Sequence, residues 1–294
     1  MIVIILTKQK DTAYENTRLV QSFADKGINA ILAHPNKFDI VVNNNSIPGI
    51  NYNGVPIELP DLVLARTGSG ITQVQLAIVH QFEQLGIPCF NPSSSIELVK
   101  DKLKTSQLLS HAGIAVPTSM LIRYPVNKTL VDDYIGYPCI VKVVTGSFGE
   151  GVHLCETQKD FHKITELLHT LGNAKPLLVQ EYLGDRPGED LRVLVIGNKV
   201  IGVMKRTAPK GDFRANITNG GTGERYPITP EIEEIVLNTV KVLGLEIAGI
   251  DLLFDTKGVR VCEANSNPGF SGFEQYCHID VADQITEYIV NKLR

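Results

Sequence analysis

Two carboxylates and one amide stand close together near the C-terminal end of the sequence. The segment AGIDLLFDTKGVRVCEANSNPG (248–269) has two strand-like runs around a DTKG turn, which predicts a β-hairpin. Folding at that turn brings Asp251 opposite residues 262–264, and the spacing of Glu263 and Asn265 places both side chains on one face. Such oxygen ligands suit Mg²⁺ or Mn²⁺ better than zinc. The alternative is a polar hairpin face ending in a turn, but unpaired carboxylates are costly inside apolar runs.

A glycine-rich segment, GSFGEG (146–151), follows a strand-like run that contains Lys142. Its glycines let backbone N–H groups approach phosphate oxygens, and the loop can close as a lid. A glycine-rich hairpin turn is the alternative. The segment does not fit the Walker pattern, and TGSG (67–70) lacks the third glycine of a dinucleotide fingerprint. Lys142, flanked by valine and isoleucine, must reach solvent or meet an anion.

Positive charge is concentrated in KRTAPKGDFRANITNGG (205–221), between these two segments. Its four cations, opposed only by Asp212, are Lys205, Arg206, Lys210 and Arg214. Arginine offers a planar fork for carboxylate or phosphate oxygens, whereas an exposed loop is the alternative interpretation. For Lys102, in VKDKLK, the default interpretation is a position on a solvated helix face. The sequence contains no Ser/His/Asp or Cys/His arrangement typical of a nucleophile.

The overall composition excludes several classes of protein. The chain has 294 residues, 43% of them hydrophobic, and a formal net charge of −4, which argues against binding nucleic acid through a generally basic surface. Five scattered cysteines without a CxxC pair favour reduced thiols over disulfides or a zinc site. The opening MIVIILT is too short for a signal peptide, and no segment is long enough to span a bilayer. We therefore expect a cytoplasmic protein without membrane or nucleic-acid partners.

Two kinds of secondary-structure pattern position these residues. In the first ninety residues, strands at 1–6, 28–34 and 62–66 alternate with helices at 12–26 and 71–85, which predicts a mostly parallel sheet. A helix with serine caps over 91–113 marks a boundary. Beyond it we expect an α+β region with antiparallel pairing. Its predicted strands are 138–144, 151–155, 176–183 and a hairpin over 191–206, and its predicted helices are 158–172 and 230–243.

Taken together, these segments resemble the ATP-grasp superfamily, and most closely its RimK-type glutamate ligases. The resemblance covers nearly the whole chain. The segments that carry it are TRLV (17–20), LARTG (64–68), KDKLKTSQLL (100–109), the glycine loop, VQEYL (179–183), EDLRVLV (189–195), GDFRAN (211–216) and EANSNPGFSGFE (263–274). It implies a pre-ATP-grasp α/β domain over 1–92 and two α+β lobes, 93–184 and 185–294, that enclose the nucleotide.

The resemblance also implies the positions that bind ATP and metal. Those for the nucleotide are Lys102 and Lys142 at the phosphates, Ser147 and Gly149 in the covering loop, Glu181, Tyr182 and Leu183 in the hinge that reads adenine, Asp190 near the ribose, and Arg214, Ala215 and Asn216 near the phosphates. Asp251, Glu263 and Asn265 match the metal ligands, for what we expect to be two Mg²⁺ or Mn²⁺ ions.

Catalytic and substrate positions follow from the same resemblance. Arg206 matches the arginine that faces the transferred phosphoryl, and Arg214 and Asn216 match residues that contact the reacting groups. The substrate-side positions are Arg66, Arg214, Ser266 and Gly269. The chain departs from the usual pattern in Phe270–Phe273, FSGF, where Ser271 stands in place of a common acidic residue.

The implied reaction is ATP-dependent formation of an amide through an acyl phosphate. The amine donor is an amino acid, expected to be glutamate, and the acceptor is the carboxyl terminus of a protein or peptide. A small-molecule or cofactor carboxylate as the acceptor and a non-catalytic ATP-binding protein are the alternatives. The sequence leaves open whether the chain forms a homo-oligomer. No residue stands out as the base that would deprotonate the amine.

Overall fold

The computed structural model describes residues 1–42, 49–67, 73–143, 151–170, 177–217 and 220–293. Its helices are α1 (Tyr14–Asp25), α2 (Gln73–Gln84), α3 (Ser93–Lys100), α4 (Lys102–His111), α5 (Lys128–Tyr134), α6 (Gln158–Thr170), α7 (Pro230–Leu243) and α8 (Val281–Leu293). Its strands are β1 (Ile2–Thr7), β2 (Asn29–Ala33), β3 (Phe38–Ile40), β4 (Ile50–Tyr52), β5 (Val55–Pro56), β6 (Leu62–Arg66), β7 (Cys89–Phe90), β8 (Ser119–Ile122), β9 (Cys139–Val143), β10 (Val152–Cys155), β11 (Leu177–Glu181), β12 (Glu189–Ile196), β13 (Lys199–Thr207), β14 (Thr222–Tyr226), β15 (Ile247–Asp255) and β16 (Gly258–Asn265). Among these residues, no helix is long and apolar enough to cross a membrane.

The N-terminal part of the chain folds around a parallel sheet in the order β2-β1-β6-β7. Alternate residues of β1 enter two different cores. Val3 packs in one cluster with Phe23 of α1, and Ile4 packs in another with Phe82 of α2. Helices on both sides explain why this strand is a continuous apolar run. The predicted parallel sheet is confirmed, and a small antiparallel sheet, β3-β4-β5, lies beside it.

The predicted single helix over 91–113 is wrong, because the chain breaks at Asp101 into α3 and α4. The Asp101 carboxylate accepts a hydrogen bond from the backbone N–H of Lys104 (3.0 Å), and so caps the second helix. The expected serine caps are also wrong: Pro92 occupies the cap position of α3, and Ser93 already lies inside the helix. The break places Lys102 at the first position of α4.

The central sheet is antiparallel, in the order β10-β9-β11-β8. Strand alternation divides β9 between two surfaces. Cys139 and Val141 enter a buried core with Phe161 of α6, so Ile140 and Lys142 lie on the opposite face. This second face of the sheet is turned towards the C-terminal part of the chain.

The C-terminal sheet is also antiparallel, in the order β14-β13-β12-β15-β16. Helix α7 covers one face, where Leu191, Ile250 and Leu252 are buried. It starts at Pro230 because the Thr229 hydroxyl accepts from the N–H of Ile232 (3.2 Å). By alternation, the side chains at 190, 192, 251 and 253 lie on the other face of the sheet.

Candidate active site

A cleft lies between the free faces of the central and C-terminal sheets. Its floor is partly apolar, with Ile140, Val152, Leu183 and Leu253 among its lining. Its charged and polar lining is Lys102, Lys142, Gln180, Glu181, Arg186, Glu189, Asp190, Arg206, Arg214, Asn216, Asp251 and Glu263. An apolar slot next to a row of charges can hold a flat ring and its charged substituent.

The predicted hairpin is confirmed in its fold and register. Asp251 on β15 stands directly opposite Glu263 on β16. A β-bulge follows at once, so that Leu252 pairs with Val261, and Cys262 is the extra residue. Because the bulge interrupts alternation, Cys262 and Glu263 both line the cleft. As direct cross-strand partners, Asp251 and Glu263 have their side chains on the same face of the sheet.

Asn265 lies two residues beyond Glu263 and opposite Gly249. Its amide nitrogen donates to the Gly249 carbonyl (3.4 Å), and the described cleft lining does not include it. No group of three His, Cys, Asp or Glu side chains that could hold a metal occurs in the described residues. The two carboxylates that line the cleft are hard oxygen donors, which fit Mg²⁺ or Mn²⁺.

Asp251 is held by arginines on neighbouring strands. Arg192 on β12 makes a bidentate contact with the Asp251 carboxylate, with Nε–Oδ1 at 2.7 Å and Nη2–Oδ2 at 2.6 Å. Arg206 on β13 makes the same kind of contact with Asp190, at 2.6 Å for both pairs, and its Nη2 lies 3.2 Å from Asp251. Four charged groups therefore form one continuous cluster.

Burial and charge act in opposite directions on these two carboxyl groups. Burial alone would raise the pKa of Asp251, but Arg192 and Arg206 outweigh it and lower that pKa. Burial dominates at Asp190 and raises its pKa, although Arg206 acts the other way. The lowered pKa keeps the Asp251 carboxyl group ionised at neutral pH.

Three of the cations that line the cleft come from three different parts of the fold. Lys142 is 7% exposed, and its Nζ donates to the neutral Oε1 of Gln180 (3.0 Å). Lys102 forms an ion pair with Glu263 (3.1 Å). Arg214 pairs with Asp212 (2.9 Å) in the segment after β13, and that contact lowers the pKa of Asp212 to about 2.

The predicted hinge residues Glu181, Tyr182 and Leu183 all line the cleft. The Glu181 carboxylate is already engaged, because it accepts from the backbone N–H of Thr118 (2.9 Å) and from Arg260. Its side chain therefore ties β11 to β16.

Three of the predicted substrate positions lie apart from the cleft lining. Arg66, at the end of β6, is 6% exposed and donates to the Pro268 carbonyl (3.1 Å), and its guanidinium lies 5.5 Å from the Phe270 ring centre. The Ser266 carbonyl accepts from Asn91 (2.7 Å), and a Cβ at Gly269 would lie 3.4 Å from Glu15. They form a separate patch beside the end of the hairpin. Ser147 and Gly149 lie outside the described residues.

Sequence reasoning missed several residues of the cleft. Ile140 and Leu253 had a usable signal, because each stands two residues from a predicted site residue on the same strand face. Arg192, which contacts Asp251 but is not part of the described cleft lining, carried the same signal, two residues after Asp190. Gln180 and Cys262 had none: the first is visible only through its contact with Lys142, and the second depends on the bulge.

An antiparallel sheet that faces a second one across a cleft of lysines, arginines and paired carboxylates, next to a parallel-sheet domain, defines an ATP-grasp protein. Residues 99–289 match the RimK-like ATP-grasp domain, and residues 1–96 match the RimK pre-ATP-grasp domain. The chain therefore belongs to the RimK-like ATP-grasp family, and the fold expected from the sequence is confirmed.

Named relatives match over most of their length. The chain is 37% identical over 278 residues to the probable alpha-L-glutamate ligase 1 of Shewanella sp. (strain MR-4), covering 94% of this chain and 91% of that protein. A probable alpha-L-glutamate ligase of Coxiella burnetii is 40% identical, and the match covers 82% of this chain and 80% of that protein. The RimK domain ATP-grasp protein of Sphaerobacter thermophilus has the same fold, with a TM-score of 0.76 at 22% identity, covering 98% and 99% of the two chains.

Proposed function

We propose that this protein is an ATP-dependent carboxylate–amine ligase that adds L-glutamate to the carboxyl terminus of a protein or peptide. The single observation that carries the proposal is the opposed pair Asp251 and Glu263, in one cleft with Lys102 and Lys142. The family and the names of its relatives support the choice of reaction and of glutamate. An ATP-grasp ligase of similar fold, PsnB (TM-score 0.77, 20% identity), is described in complex with a minimal precursor variant, Mg and ADP.

The nucleotide would lie with its base in the apolar slot and its phosphates towards the charged end. Ile140, Val152 and Leu253 supply apolar contacts, and the hinge backbone supplies hydrogen bonds to the base. Lys102 and Lys142 would neutralise phosphate charge. Asp251, Glu263 and Asn265 would hold divalent ions, which supply charge neutralisation at the phosphate oxygens when bound.

The chemistry needs an activated carboxyl group, because amide formation in water is uphill. A carboxylate oxygen of the acceptor attacks the γ-phosphorus of ATP, and the bond to the β-phosphate oxygen breaks to release ADP. The amine of glutamate then attacks the acyl carbon, and phosphate leaves as the amine loses a proton. Arg206 and Arg214 would stabilise the charge that develops on the transferred group.

Arg66 is our candidate for binding an acceptor carboxylate outside the cleft. Within the described part of the chain no carboxylate lies within ion-pair distance of it, and its buried Nε has no hydrogen-bond partner. Burial lowers the pKa of Arg66 to about 10, although the charge of Glu15 acts against this change. A buried guanidinium without an anionic partner is costly, and an anionic substrate group would offset that cost.

Arg66→Met is expected to raise the KM for the acceptor at least ~10-fold and to leave the KM for ATP unchanged. The protein should stay folded, because an apolar side chain replaces a buried charge that has no anionic partner. Steady-state kinetics with each substrate varied in turn measures both constants. Arg123→Met, at an exposed site of the central part, is the control. An unchanged acceptor KM would remove Arg66 from the substrate site.

Leu253→Trp is expected to weaken ATP binding at least ~10-fold, since the larger side chain occupies the slot assigned to adenine. The upward shift of the unfolding temperature that ATP causes in the wild type should shrink accordingly. Leu253→Met, which conserves volume, serves as the matched control. Equal ATP affinity in Leu253→Trp would place the base elsewhere.

The reaction itself is tested by incubating the protein with ATP, Mg²⁺, single amino acids and a panel of peptides. We expect phosphate release that depends on glutamate and on a peptide, with products heavier by whole glutamate residues in mass spectrometry. Release with glutamate and a small carboxylic acid, but with no peptide, would favour the small-molecule alternative. The FSGF segment (270–273), which lacks an acidic residue at Ser271, makes that comparison necessary.

A further inference from the structure

Lys102 occupies an unusual place for a lysine. It is the first residue of α4, at the helix end where the aligned peptide dipoles disfavour a positive charge. Its side chain is only 14% exposed, and its Nζ lies 3.1 Å from Glu263 Oε1. The negative charge of the Glu263 carboxylate offsets the unfavourable interaction of the Lys102 ammonium with the helix dipole. The break at Asp101 and the bulge at Cys262 together bring the two groups into contact.

Glu263 is one of two facing carboxylates, and both have cationic partners. Asp251 contacts Arg192 and Arg206, and Arg206 also contacts Asp190. With Lys102 on Glu263, three carboxylates and three cations form a neutral set. A divalent ion added alone would leave this partly buried set strongly positive, and a nucleotide added alone would leave it strongly negative. A triphosphate that enters together with two divalent ions adds almost no net charge.

We propose that Lys102 is a specificity-determining residue that makes the cleft select the metal complex of the nucleotide over the free metal ion. The ammonium of Lys102 and a metal ion compete for the same oxygen of Glu263. When phosphate oxygens enter the cleft, they draw the ammonium away and leave Glu263 to the metal. This inference rests on the proposed function, because it needs a nucleotide whose phosphates reach Lys102.

Competition of this kind has a definite thermodynamic signature. The nucleotide must increase metal affinity, and by linkage the metal must increase nucleotide affinity by the same factor. Removing the charge of Lys102 should strengthen metal binding in the absence of nucleotide. Removing that charge should also reduce the factor by which the nucleotide increases metal affinity. A lysine that only binds phosphate would weaken nucleotide binding and leave metal binding without nucleotide unchanged.

The test is Mn²⁺ binding measured by electron paramagnetic resonance, with and without saturating AMPPNP. In the wild type we expect AMPPNP to tighten Mn²⁺ binding at least ~10-fold. In Lys102→Met, Mn²⁺ alone should bind ~5-fold tighter than in the wild type, as expected for loss of a partly exposed ion pair, and the effect of AMPPNP should shrink. Lys102→Arg, which keeps the charge, should behave as the wild type does.

Lys104→Met is the matched control, because Lys104 lies on the same helix and its side chain is exposed. Lys102→Gln provides a second neutral variant if Lys102→Met fails to fold. Unchanged or weaker binding of Mn²⁺ alone in the neutral variants would overturn the role of Lys102. A wild type that binds neither AMPPNP nor Mn²⁺ would instead overturn the proposed function.

Discussion

Glu263→Gln is expected to reduce turnover at least ~10²-fold while the protein stays folded. The substitution preserves size and removes the negative charge that would hold a divalent ion beside the phosphates. Loss of one preorganised electrostatic contact commonly costs this much. Initial rates of phosphate release at saturating ATP measure the effect, and thermal unfolding verifies the fold.

Glu263 is a cleaner site for this test than Asp251. Its side chain is 34% exposed and pairs with one lysine, so its neutralisation disturbs few contacts. Asp251 is buried between two arginines, so Asp251→Asn would also leave Arg192 and Arg206 without their shared counter-charge. Glu234→Gln, on the exposed side of α7, is the control. Near wild-type turnover in Glu263→Gln would remove this residue from the metal site.

Arg206→Gln is expected to lower the free energy of unfolding by about 3–5 kcal/mol, the usual cost of removing one member of a buried ion pair. Arg206 is 3% exposed, and the side chains of Asp190 and Asp251 are 14% and 9% exposed. Without Arg206, two buried carboxylates share only Arg192. Urea denaturation, followed by circular dichroism, gives the change.

A second substitution separates charge from packing in this cluster. Asp190→Asn, combined with Arg206→Gln, restores the balance of charge around Asp251. The double variant should therefore lose clearly less stability than the sum of the two single variants. Additive losses would show that the Arg206–Asp190 contact contributes little to stability.

The elements of the fold could be predicted from the sequence where one local pattern decides the structure. The alternation in β15 and β16 and the turn between them predicted that Asp251 faces Glu263, and the structure confirms this pairing. The alternation of strands and helices in the first ninety residues predicted a mostly parallel sheet, which is also confirmed. The pairing of Asp251 with Glu263 depends on side-chain direction within a strand, which has a fixed period of two residues.

Features that interrupt a local pattern, or that join distant segments, could not be predicted in the same way. The bulge that adds Cys262 breaks the period of two at the site itself, and no local residue pattern indicated it. The break at Asp101 depends on a capping contact inside a continuous helical pattern. The pairing of Lys102 with Glu263 joins residues 161 positions apart in the chain, so it became visible only in three dimensions.

Anomalous diffraction tests most directly whether Asp251 and Glu263 bind a divalent cation beside a triphosphate. Crystals grown with AMPPNP and Mn²⁺ would be measured at the manganese absorption edge. We predict a peak roughly 2.0–2.6 Å from oxygens of both carboxylates and of the phosphates, the range of divalent cation–oxygen distances. Bound AMPPNP with its manganese peak away from both carboxylates would contradict the account.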